Sequence, residues 1–206
     1  MKISNSKNKF VYLISPNKIT SYFYRDLIKI FKSYKINFFQ LRLKKKSYKS
    51  KILIAKKIQK LCRLYKIKFI INDDPHLAKK VNADGCHLGQ KDMNIKNARI
   101  LLKNKIIGIT CHNSLKLAKS AIKDNANYIA FGAFNSSNTK KVKYKANFGL
   151  IKKFKILSNI PVIAIGGINH LNYKKLLLNK ADFLAISGYI WNNKKLKPLE
   201  AIKKLK

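Results

Sequence analysis

Asp73 and Asp92 each stand where a short apolar run ends. Phe69-Ile70-Ile71 leads into Asn72-Asp73-Asp74, and Cys86-His87-Leu88-Gly89 leads into Gln90-Lys91-Asp92. The chain has 46 Lys and Arg against 8 Asp and Glu, so acids in two equivalent positions stand out from the background. Carboxylates placed this way suit Mg2+, which takes a few protein oxygens and fills its remaining positions with water and substrate phosphate. Aspartate also caps helices, but Asp74, directly before Pro75, is the natural cap, and that leaves Asp73 free. Gln40, Arg42 and Lys44 alternate along another apolar run and so share one face. Arginine and lysine aimed at one point offer a bidentate fork and a point charge to phosphate oxygens. Together these residues would bind a phosphorylated small molecule and a divalent ion.

Further polar groups follow other apolar runs. The segment Gly132-Ala133-Phe134-Asn135-Ser136-Ser137-Asn138-Thr139-Lys140 gathers hydroxyls and a lysine. Alone it would be a solvated loop. Gly166-Gly167 and Ser187-Gly188 stand where backbone N–H groups can take a phosphate. His87 lies within an apolar run and is expected to be a packed, hydrogen-bonded core histidine. His112 follows the next run and is the weaker candidate for a general base.

These residues must be carried by strands whose ends converge. Strand-like runs alternate with amphipathic helical patterns along the chain: Val11–Ser15, Phe38–Lys44, Phe69–Ile71, Cys86–Gly89, Ile106–Cys111, Tyr128–Phe134, Pro161–Ile165 and Phe183–Ile186, with helices expected between them and at Pro198–Lys206. Eight nearly continuous apolar strands alternating with helices predict a parallel sheet closed into an α/β (β/α)8 TIM barrel, one domain over residues 1–206. An open doubly wound sheet is the alternative, but the first strand-to-helix turn, Ser15-Pro16-Asn17-Lys18-Ile19-Thr20, has no glycine fingerprint. In a barrel, the carboxyl ends of the strands form the ligand-binding face.

The formal net charge of +38 suggests nucleic acid or an anionic surface. Lysine spacing argues instead for solvated helix faces. Between Ser47 and Lys66, lysines at 49, 51, 56, 57, 60 and 66 alternate with Ile52, Leu53, Ile54, Ile58, Leu61 and Leu64, an amphipathic pattern. No nucleic-acid or membrane partner is expected, and a homo-oligomer is compatible with the sequence. Cys62, Cys86 and Cys111 are odd in number and widely spaced, which fits a reducing compartment rather than a disulfide framework. The start MKISNSKNKF lacks the apolar stretch of a signal peptide. No run approaches the ~18 apolar residues of a membrane span, so a cytoplasmic protein is expected.

Gln40-Leu41-Arg42, Asn72-Asp73, the stretch from Ala83 to Asp92, Thr139-Lys140 and Ala164-Ile165-Gly166-Gly167-Ile168 together resemble the thiamine phosphate synthase family, along nearly the whole chain. The resemblance implies a (β/α)8 barrel that joins 4-amino-2-methyl-5-(diphosphooxymethyl)pyrimidine to a thiazole phosphate, releasing pyrophosphate. It further implies that Gln40, Arg42, Lys44, Asn72 and Lys140 hold the pyrimidine diphosphate and that Asp73 and Asp92 bind Mg2+. Thr110 would contact the pyrimidine, and Ser137, Thr139, Gly167, Ile186 and Ser187 would hold the thiazole phosphate. Arg42, Lys44, Lys140 and Thr110 would then be the catalytic set. Leu43 stands where the family usually has Glu, Ala133 where it has Pro, and Thr110 and Ser137 exchange one hydroxyl residue for the other. A thiazole tautomerase-like branch of the same superfamily is the first alternative, but it tends to lack the metal acids. A basic nucleic-acid-binding protein is a distant second.

Overall fold

The computed structural model describes residues 10–44, 46–136 and 142–206; Ser137, Thr139 and Lys140 lie outside them. Eight strands succeed one another: β1 (Val11–Ile14), β2 (Ile36–Leu41), β3 (Lys68–Asn72), β4 (Gly85–Leu88), β5 (Ile106–His112), β6 (Tyr128–Gly132), β7 (Val162–Ile165) and β8 (Phe183–Ile186). Each pairs in parallel with the next, and β8 pairs with β1, so the barrel closes. The helices are α1 (Ser21–Ser33), α2 (Tyr48–Leu64), α3 (Pro75–Lys80), α4 (Ile95–Leu102), α5 (Leu115–Lys123), α6 (Phe148–Leu157), α7 (Tyr173–Leu178), α8 (Gly188–Trp191) and α9 (Pro198–Lys203). Among the described residues, no helix is long and apolar enough to cross a membrane.

Strand alternation divides the apolar side chains into two cores. Tyr12, Phe38, Ile70, Ile106, Tyr128, Ile163 and Phe183 fill the barrel interior. Their neighbours Leu13, Phe39, Ile71, Phe131, Ala164 and Leu184 pack outward with the helices. Gly108 makes room for Tyr128: a Cβ there would stand 1.9 Å from the tyrosine ring. The three cysteines are free and buried, and burial pushes the Cys111 thiol up to about 12.

Several expected boundaries shift. β2 ends at Leu41, so Arg42 and Lys44 leave the strand and stand in the loop above it. β6 ends at Gly132, and α9 ends at Lys203. The inner stripe of α2 is also narrower than the lysine alternation implies. Ala55, Ile58, Gln59 and Cys62 are buried, whereas Leu53 and Leu64 are 57% and 71% exposed. In a chain this rich in Lys, Ile and Leu, large apolar residues also fall on the wet face, and only the i, i+3, i+4, i+7 set marks the core.

One joint recurs at the amino ends of the strands. After α2, α3, α5 and α7 the chain passes through a left-handed residue: Lys66, Asn82, Asn125 and Lys180, at φ 55°, 51°, 62° and 68°. In each case the next amide (Ile67, Ala83, Ala126 or Ala181) reaches back to a carbonyl five residues earlier, closing a Schellman turn. After three of these turns an Asp or Asn clamps the preceding strand with two bonds. Asp84 donates its N–H to the Phe69 carbonyl and accepts the Phe69 N–H on its carboxylate, both at 2.9 Å. Asn127 does the same with Ile107, and Asp182 with Val162. These clamps fix the registers of β3/β4, β5/β6 and β7/β8 at one face, which levels the strand ends at the other.

Lysine in the left-handed region costs about 1 kcal/mol or more, a strain that glycine escapes. The side chains of Lys66 and Lys180 are exposed. Lys66→Gly and Lys180→Gly are therefore expected to stabilise the fold by about 0.5–1 kcal/mol each in urea unfolding. Asn82→Gly and Asn125→Gly should gain less, because asparagine tolerates this conformation.

Candidate active site

The carboxyl ends of β2 to β5 bring the predicted residues together. Gln40 is buried on the interior face of β2, and its Nε2 donates to the Tyr12 hydroxyl at 3.0 Å. The Arg42 backbone N–H is fixed by Ser15 Oγ at 2.9 Å, and its guanidinium donates to the Asn17 side-chain carbonyl. Lys44 Nζ stands 3.8 Å from Asp73 Oδ2. Asn72 is the last residue of β3, paired with His87 of β4.

Asp73 turns sharply out of β3 at φ 65°, with its N–H donating to the His87 carbonyl at 2.8 Å. A non-glycine residue held in this region is a local strain of the kind found at functional sites. Asp92 is held from the other side, accepting the Gly89 N–H on Oδ2 at 2.6 Å. The two carboxyl groups lie close enough for Asp92 to act on the ionisation of Asp73. Burial, then the charge of Asp92, then the shared hydrogen bond raise the Asp73 pKa; the cations Lys44 and Arg42 pull the other way without prevailing. Two carboxylates in contact need either a proton or a cation between them.

Below this rim lies a chain of buried polar groups. Tyr12 and Tyr128 meet hydroxyl to hydroxyl at 2.8 Å. Tyr128 reaches His87 Nδ1 at 2.9 Å, and His87 Nε2 reaches Thr110 Oγ1 at 2.8 Å. The His87 ring stacks on Tyr128. Desolvation lowers the His87 pKa to about 4, so the imidazole is neutral at physiological pH. His87 is thus the packed, hydrogen-bonded core histidine expected, and it also connects strands. His112, at φ 52°, stacks on Tyr144 with ring centroids 4.3 Å apart. The participation of Tyr12 and Tyr128 was not foreseen, although a tyrosine inside an apolar strand is a signal, because its buried hydroxyl needs a partner.

The far side of the mouth is formed by β6 to β8. Gly166 and Gly167 have φ of 103° and 59°, and a Cβ on Gly167 would meet the Ser136 carbonyl at 2.2 Å. The described start of the polar loop therefore packs directly on the glycine pair. Asn172 Nδ2 donates to the Gly167 carbonyl at 2.9 Å. Ser187 Oγ donates to the Ser15 carbonyl at 3.1 Å, across the seam between β8 and β1. Ile186 packs outward into the helix-side core, so only its backbone can face a ligand.

The family model described as thiamine monophosphate synthase matches residues 11–190. The chain belongs to that family. It is 64% identical to a thiamine-phosphate synthase of Pelagibacter ubique over 207 residues, covering all of both chains. It is 37% identical to the thiamine-phosphate synthase of Erythrobacter litoralis, over 88% of each. The solved thiamine phosphate pyrophosphorylase of Pyrococcus furiosus superposes with a TM-score of 0.83 at 26% identity, covering 95% of this chain and 93% of that one. The chain is an enzyme of the thiamine-phosphate synthase type, a transferase in thiamine biosynthesis.

In a family member whose substrates carry phosphates, the carboxylate contact has a definite consequence for stability. Asp73 binds its proton more tightly when folded. Its contribution to stability is therefore complete below the ordinary aspartate range and is lost as pH rises through its elevated folded value. Asp73→Asn, which keeps the left-handed turn, is expected to melt higher than the parent at pH 7 in EDTA, with the gap closing toward pH 4. Added Mg2+ should raise the melting temperature of the parent and leave that of the variant nearly unmoved.

Proposed function

We propose that the chain couples an aminopyrimidine diphosphate to a thiazole phosphate with Mg2+, giving thiamine phosphate and pyrophosphate. The observation that carries this reading is the convergence of Asp73 and Asp92 from the loops after the adjacent strands β3 and β4, with Lys44 3.8 Å from Asp73 and Arg42 acting on the same carboxyl. Among the described residues, no group of three or more His, Cys, Asp and Glu side chains could hold a metal. The donor set is two hard carboxylates, which suits an ion that keeps water and substrate oxygens as its other ligands. Bound there, Mg2+ would neutralise charge developing on the departing diphosphate.

The rest is the work of this chain's own groups. Arg42 and Lys44 take the diphosphate oxygens and stabilise negative charge as the carbon–oxygen bond opens. Lys140 adds a third cation in this reading, and Asn72 a neutral donor. Gln40 and Thr110 hold the aminopyrimidine, whose ring amine spreads the positive charge left on its exocyclic CH2. Gly167, Ser187 and the Ile186 backbone, with Ser137 and Thr139, hold the thiazole phosphate so that its ring nitrogen lies opposite the leaving group. No side chain needs to act as a nucleophile. Orientation and electrostatics suffice.

The tautomerase-like alternative expels no diphosphate and has no need of this carboxylate pair. Purified protein incubated with both phosphorylated halves and Mg2+ should release pyrophosphate and thiamine phosphate; absence of both would overturn the reading. Asp92→Asn keeps an acceptor for the Gly89 N–H, so it isolates the charge. It is expected to lower kcat by about 10² or more with the fold intact by circular dichroism; unchanged turnover would remove the metal role.

A further inference from the structure

The buried chain beneath the rim has a direction that can be worked out from its donors and acceptors. Gln40 Nε2 donates to the Tyr12 hydroxyl, so the Tyr12 proton points to its other partner, the Tyr128 oxygen. Tyr128, having accepted, gives its own proton to His87 Nδ1. A neutral imidazole has one N–H and one lone pair. With Nδ1 accepting, Nε2 carries the proton and donates to Thr110 Oγ1. The Thr110 hydroxyl proton is then left to point away from His87. At the other end, the Gln40 amide has its nitrogen turned to Tyr12, which leaves its carbonyl oxygen as the other branch to offer. Every buried side-chain nitrogen and oxygen among the described residues has a partner, so no single link can turn without orphaning its neighbour.

We propose that Tyr12, Tyr128 and His87 are positioning residues that fix the hydrogen-bonding sense of Gln40 and Thr110, making the first an acceptor and the second a donor toward the substrate ring. The inference rests on the reading of those two residues as pyrimidine contacts. With the Gln40 oxygen at the 4-substituent and the Thr110 proton at the adjacent ring nitrogen, this fixed sense matches a ring that carries an amino group and an unprotonated ring nitrogen. An oxo ring presents the opposite pattern, a carbonyl acceptor beside a ring N–H. Accepting it would require all five groups to reverse together, which puts the cost of discrimination in the barrel interior. A site built to pair buried polar groups rejects a mismatched ring far more strongly than an apolar pocket does.

Two measurements test this, and they fail separately. In the wild-type protein labelled with 15N-histidine, the His87 resonances, assigned by their loss in His87→Asn, should show Nε2 protonated and Nδ1 as the lone-pair nitrogen. The opposite tautomer, or a protonated ring at pH 7, overturns the proposal whatever the enzyme's activity. The second measurement compares the Kd values of 5-hydroxymethyl-2-methylpyrimidines bearing either a 4-amino or a 4-oxo group, with pyrophosphate and Mg2+ present. Tyr128→Phe breaks the chain at its middle and should reduce the preference for the amino ring by about tenfold or more, while pyrophosphate binding stays as in the wild type. Tyr12→Phe should do the same if Tyr128→Phe fails to fold. Equal weakening for both rings would mark the tyrosines as merely structural and sink the proposal. A wild-type protein that shows the expected tautomer and ring preference but makes no thiamine phosphate would instead refute the proposed reaction and leave the positioning role intact.

Discussion

Two carboxyl groups set close together at the barrel mouth oppose each other's ionisation, and much of the rim serves to hold them there. The chain has only eight acidic residues, and most of them have visible structural work. Asp74 caps α3 through the Leu77 N–H, Asp84 and Asp182 clamp strands, Glu200 caps α9 and Asp124 pairs with Lys96. Asp73 and Asp92 are set against each other instead, and each is locked by backbone hydrogen bonds. Removing the repulsion would be easy in sequence terms, since a single asparagine would do it. A contact that opposes folding and is nonetheless tightly built is best understood through the cation it would accept.

Holding that contact requires strand ends that cannot slide. A one-residue slip in a parallel pair would exchange interior and exterior side chains, sending Gln40 outward and bringing Leu41 into the mouth. The clamps of Asp84, Asn127 and Asp182 prevent such a slip in β3/β4, β5/β6 and β7/β8, and they do so from the opposite face. The barrel thus separates its tasks. The amino ends carry register and helix termination, and the carboxyl ends carry chemistry. At the seam, α8 adds a last tie, with Trp191 Nε1 donating to the Ile14 carbonyl at 2.7 Å.

How much of this could be read from the sequence depends on whether a residue's role is local. Asp73, Asp92 and Gln40 were legible because strand ends and strand alternation are short-range patterns. The stripe Phe23, Leu27, Ile30 and Phe31 of α1 was legible for the same reason. The repeated joint was not, although Asn82-Ala83-Asp84, Asn125-Ala126-Asn127 and Lys180-Ala181-Asp182 print it three times. Glycine, the usual sign of a left-handed helix end, is replaced there by Asn and Lys. Tyr12 and Tyr128 were read only as apolar strand residues, because their hydroxyls find each other across 116 positions of sequence. Leu43, a departure from the family pattern, is buried and lines a small cavity with Leu41, Ile71 and Leu77 on one side and Lys51, Asn72 and Asp74 on the other.

Charge and polarity are graded with depth in the mouth, and the gradient sorts the two ends of a substrate. On the rim, Arg42 and Lys44 keep their cationic heads near water, where a charge costs little to maintain and attracts a diphosphate. Deeper in, burial lowers the His87 pKa to about 4, because it favours the neutral imidazole. The floor is therefore held neutral and, as proposed, would select by the placement of single protons, whereas the rim would select by charge. A ligand with an uncharged heteroaromatic ring and an anionic tail can satisfy both layers in only one orientation, ring down and phosphates up. In the proposed reaction, that orientation would set the bond between ring methylene and diphosphate at the boundary where the charges begin.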